Sequence, residues 1–180
     1  MTVFLIILSI LLWASSIWCL FGRQILAPAL SYLALVALSF VRQNGYAVIP
    51  VNGVMLTGWL CMTLAVMFVV ILQPEEVRRQ IRGMWFMTAG ALVGLAVGLV
   101  GYSVTSSIGM RYAWMILAVV AGIVLGFLFY TGTPAGRPVR PGSGYFLKLL
   151  LAKGFPTAIT IMQLGVALVL LLAVKNVNGL

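Results

Sequence analysis

Histidine and aspartate are absent from the 180 residues, and Glu75 and Glu76 are the only carboxylate side chains. Without them the chain has no histidine base, no histidine metal site and no separated pair of carboxylates for acid–base work, so most enzyme classes fall away. Charged residues make up 7% of the chain, while 63% is apolar and the mean hydropathy is +1.19. A soluble domain carries about a quarter charged residues, so this composition is that of an integral membrane protein. No P-loop, dinucleotide fingerprint, nucleophile elbow or zinc-ligand spacing occurs, and no cofactor or metal is expected.

Basic residues dominate what charge there is, at eleven Lys and Arg for a net +9. They are scattered through short segments between apolar runs and form no basic face, which argues against nucleic acid and for a topological role. Cys19 and Cys61 lie inside apolar runs without a C-x-x-C spacing, so they read as packing residues.

A spanning helix needs roughly 20 predominantly apolar residues. Six runs qualify as expected spans, at 2–21, 25–41, 54–72, 84–104, 112–131 and 155–174. The expected fold is an all-α polytopic bundle of about six transmembrane helices, one domain over 1–180 with no soluble part. Residues 2–21 lack a basic n-region and a cleavage pattern, and are expected to stay as a helix rather than act as a signal peptide. Cytoplasmic loops are expected at 73–83 and 132–153. In the first, Pro74, Glu75 and Glu76 read as a helix start leading directly into the fourth span. In the second, three prolines and four glycines between Gly132 and Gly144 read as irregular chain. Tyr145 to Lys153 then reads as a surface amphipathic helix ended by Gly154 and Pro156.

Counting basic residues on alternate sides sets the orientation. Arg23, Arg78, Arg79, Arg82, Arg137, Arg140, Lys148 and Lys153 fall on one side, and Arg42, Arg111 and Lys175 on the other. The richer side is cytoplasmic, which puts both termini outside a membrane of the bacterial inner type. Arg78, Arg79, Arg82, Arg137, Arg140, Lys148 and Lys153 are the residues expected to meet anionic lipid headgroups or a partner.

Two local patterns carry candidate function. Gly90, Gly94, Gly98 and Gly101 in the fourth span, with Ala118, Gly122 and Gly126 in the fifth, form small-residue stripes that let helix backbones approach closely. Packing of these two spans on each other is the first reading, ahead of contact with another subunit. Polar groups inside the spans are few: Gln163, Thr160 and Thr157 in the sixth, Thr57 and Thr63 in the third, Thr88 in the fourth, and serines in the first. Gln163 is the one amide well inside a span, suited to an interhelical hydrogen bond or to a solute path.

The functional expectation is a non-catalytic membrane-embedded subunit of a larger protein assembly or homo-oligomer, packing through the small-residue stripes. A small passive transporter or channel lined by Gln163, Thr160, Thr157 and Thr57 stands second. A lipid-modifying enzyme stands last, because no base or nucleophile is positioned.

Overall fold

A computed structural model describes residues 2–22, 24–43, 46–47, 52–79, 83–105, 107–139, 141 and 143–177. Its long helices are α1 (Thr2–Phe21), α2 (Leu26–Ser39), α3 (Gly53–Leu72), α5 (Met84–Val104), α6 (Ile108–Gly132) and α8 (Phe155–Val177). Two short helices, α4 (Glu75–Arg79) and α7 (Gly144–Leu149), lie between them, and a π-helical turn over Leu150–Gly154 fuses α7 to α8. Arg42–Gln43 and Tyr46–Ala47 pair as a minimal antiparallel ladder.

Five helices are long and apolar enough to cross a membrane, consistent with a helical membrane bundle. The run at 25–41 forms only the 14-residue α2. At 1.5 Å per residue it is about 21 Å long, short of a hydrocarbon core of about 30 Å.

The bundle is organised around the last helix. α8 touches α1, α2, α3, α5 and α6, and the apolar window of the continuous helix Gly144–Leu170 to which it belongs is 83% buried, against 17% in α1 and in α3. Burial of the five helices runs in the inverse order of their hydropathy: the least apolar one sits in the middle and the most apolar ones face outward. Lipid solvates apolar side chains as well as protein does, so in a bilayer the polar helix is the one driven inward.

α5 and α6 form the tightest pair. A Cβ on Gly90 would run into the Gly122 carbonyl oxygen, one on Gly94 into that of Ala118, and one on Gly126 into that of Phe86. At Gly98 a Cβ would stand 2.9 Å from the Met115 Cα. The two stripes therefore face each other along an antiparallel hairpin, backbone against backbone. At its turn Arg111 lies 5.4 Å from the centre of the Tyr102 ring, and Tyr102 meets Tyr112 edge to face. α1 and α2 form the opposite wall, tied by the Ser16 hydroxyl donating to the Ala27 carbonyl at 2.7 Å.

Three loop expectations are corrected. α4 is not an extension of the fourth span: Gly83 takes φ +86° before α5, a left-handed conformation that suits glycine, and α4 instead packs on the π turn and buries Val77 in the core. The glycine- and proline-rich segment after α6 folds back on that helix, with the Tyr130 hydroxyl donating to the Ala135 carbonyl at 3.2 Å and Val139 in the core.

The helix from Gly144 also continues through Gly154 and Pro156. Proline has no N–H to bond four residues back and its ring crowds that carbonyl. The wider π turn absorbs the mismatch just before it, and the Thr157 hydroxyl donates to the Lys153 carbonyl at 2.8 Å.

The stripe contact makes a graded prediction. Gly122→Leu is expected to cost about 3 kcal/mol or more by overpacking, whereas Gly101→Ala, whose Cβ would stand 3.7 Å from the Trp114 Cβ, is expected to be tolerated. Thermal unfolding of the two variants in detergent, followed by size-exclusion fluorescence, checks this. Equal melting temperatures would refute the close contact.

Candidate functional site

Along α8 and the π turn before it, Lys153, Thr157, Thr160 and Gln163 follow one another at intervals of four, three and three residues. At about 100° per residue these intervals keep all four near one side of the helix, over about 15 Å of its length. All four are buried, with Gln163 and Thr157 wholly so and Lys153 and Thr160 at 2% exposure.

Gln163 joins three helices. Its Nε2 donates to the Thr63 hydroxyl of α3 at 2.9 Å, and its Oε1 accepts from the Ser31 hydroxyl of α2. Thr63 in turn donates to the Trp59 carbonyl at 2.7 Å, so its oxygen is left to accept from the amide. Ser31 also lies 3.0 Å from the Pro28 carbonyl. Such intramembrane side-chain bonds are worth about 0.6 kcal/mol each, rising to roughly 1.7.

Four further buried polar atoms, the Thr160 hydroxyl, the Gln24 side-chain nitrogen, the Thr88 hydroxyl and the Trp13 indole nitrogen, have no hydrogen-bond partner among the described residues. Native interiors pair nearly all such groups, and an unpaired one costs about 1–3 kcal/mol.

Of the residues expected in a path, Thr157, Thr160 and Gln163 are brought together and Thr57 is not. Thr57 sits on the exposed side of α3 and donates to its own helix at the Gly53 carbonyl, 2.9 Å away. Its place beside Gln163 is taken by Thr63. Ser31 is a further member that the sequence does not single out, since nothing in its local pattern distinguishes it from a hydroxyl bonded to its own helix. Lys153, expected at the membrane surface, is instead buried at the π turn. Its spacing to Thr157 was visible in the sequence, but the helix break expected at Gly154 and Pro156 separated the two.

Of the remaining basic set, Arg137 and Lys148 are exposed. Of Arg78 and Arg79 in α4 only the backbone is described, and Arg82 and Arg140 lie outside the described residues. Gly90, Gly94, Gly98, Ala118, Gly122 and Gly126 are all taken up in the α5–α6 contact, with Gly101 against Trp114 at its outer end. Among the described residues no three His, Cys, Asp or Glu side chains lie together as metal ligands. Cys19 and Cys61 are free thiols.

No known protein family, curated protein or solved structure matches the chain. The class is therefore set by the fold alone, an all-helical bundle with apolar helices compatible with a membrane location. What distinguishes this bundle is the polar column inside it.

The three-helix bond at Gln163 predicts coupling. Gln163→Leu and Thr63→Val are each expected to cost about 1–2 kcal/mol of stability, and the double variant less than their sum by about 0.6 kcal/mol or more. A double-mutant cycle on unfolding in mixed micelles measures this, and strict additivity would mean that the two side chains do not interact.

Proposed function

We propose that the protein is a non-catalytic, multi-pass membrane protein that acts as a small passive transporter for a small polar solute, the path following the polar side of α8. The observation that carries this reading is the buried column of Lys153, Thr157, Thr160 and Gln163, with the Thr160 hydroxyl left without a partner among the described residues. An ionisable residue and a row of polar groups are costly within a membrane and are the usual marks of a solute pathway. The packed column corresponds to a closed state, in which unsatisfied groups hold hydrogen-bonding capacity that a solute or water takes up on opening. In this reading α2 is the sixth crossing, its shortfall in length met by local thinning of the bilayer. With Lys153 in the column, seven of the other ten basic residues then lie on the cytoplasmic side of a bacterial inner membrane, with both termini outside.

The alternative is a membrane-embedded subunit of a larger assembly. It is supported by the outer side of α3, of whose 20 residues only Thr63, Val66 and Val70 are buried. The small-residue stripes, which ranked this reading first on sequence grounds, are occupied within the chain and offer a partner no surface.

Vesicle swelling followed by stopped-flow light scattering, with glycerol, urea and nitrate salts as probes, separates the two. For a probe that the wild-type protein passes, Thr160→Val and Gln163→Leu are expected to slow entry roughly fivefold to tenfold, the equivalent of one hydrogen bond of about 1–1.4 kcal/mol. Unchanged rates in both variants would remove the path. No permeation of any probe, together with a second subunit in fixed stoichiometry by native mass spectrometry, would establish the alternative.

A further inference from the structure

A second feature lies on the opposite flank of the central helix. α3 and α6 each pack against α8 from its two sides, and between them runs a lateral groove of about 270 Å³. Trp59 and Met62 of α3 form one wall, Val120 and Val124 of α6 the other, and Gly154 and Ala158 the floor. The lining of the groove is apolar, so water gains nothing there, and in a bilayer it opens onto lipid.

Length and charge identify the occupant. The floor runs from Leu150 to Met162, about 18 Å at 1.5 Å per residue, close to the depth of one leaflet of a core about 30 Å thick. Its Leu150 end is the basic end of the molecule. Lys148 is exposed about 3 Å further along the same helix. The segment after α6 carries exposed Arg137 back toward the bundle, held by the Tyr130–Ala135 bond. α4, which packs on the π turn, brings Arg78 and Arg79 to this end, together with the only carboxylates, Glu75 and Glu76. An apolar slot one leaflet deep with surplus positive charge at its mouth is complementary to a chain-bearing anion.

We propose that this groove is a binding site for an anionic phospholipid of the bilayer, one acyl chain lying between α3 and α6 and the phosphate meeting Lys148 and Arg137. The site is separate from the polar column and does not depend on the transport reading.

Trp59, in the groove wall, reports occupancy. The full-length protein is reconstituted in phosphatidylcholine vesicles containing a minor, equal fraction of either dibrominated phosphatidylglycerol or dibrominated phosphatidylcholine. The Trp59 signal is taken as the difference between wild type and Trp59→Phe. Quenching by the anionic lipid is expected to reach half-effect at about fivefold lower fraction than by the zwitterionic one. Lys148→Gln with Arg137→Gln is expected to abolish that preference while keeping the quenching, and Val120→Phe, at the exposed rim, to protect Trp59 from both lipids. Equal quenching by the two lipids in the wild type would overturn the anionic site. Absence of Trp59 quenching, as when a partner helix fills the groove, would overturn lipid occupancy altogether.

Discussion

Keeping the ammonium of Lys153, two threonine hydroxyls and the Gln163 amide away from hydrocarbon is the constraint on which the rest of the bundle depends. A charged or amide group facing lipid costs several kcal/mol, more than any single packing contact here returns. The helix that carries them is therefore surrounded: α1 and α2 cover it on one side, α5 and α6 on the other, and α3 lies beside it. The other long helices can afford their exposed flanks because those flanks are apolar.

Enclosing one helix with so few others requires close neighbours. The glycine stripes supply this by bringing α5 and α6 backbone to backbone, so that the pair acts as one broad wall. Gly165 then receives Leu95 from α5 and Met115 from α6. On the other side the hydrogen bonds of Gln163 to Ser31 and Thr63 hold α2 and α3 in place. The two sides use different physics: dispersion between surfaces without side chains in one case, and directional bonds between groups that lipid cannot satisfy in the other. The groove between α3 and α6 is left where neither operates.

Much of the fold was legible. Helix α1 and the third to fifth spans lie within a few residues of their apolar runs, and the glycine spacing gave the partners of the tightest contact. The expectations that needed correction share a cause, since each rested on reading proline or glycine as punctuation. Gly154 and Pro156 do not end the last helix, because a π turn accommodates the ring. The segment from Gly132 to Gly144 is not a free linker, because Val139 finds a place in the core. Gly83 does separate α4 from α5, where continuity was expected, because it adopts a positive φ.

The amino-acid sequence by itself determined the class: too few charges and too many long apolar runs for a soluble domain. The low hydropathy of the last helix is likewise a property of the sequence, and that helix is the one the structure buries. Only the tertiary structure decided that Lys153 belongs with Thr157, Thr160 and Gln163, and that Thr63 and Ser31, not Thr57, complete the set. Helical periodicity places residues on a side of their own helix. Which side meets which neighbour is settled by packing among all the helices at once.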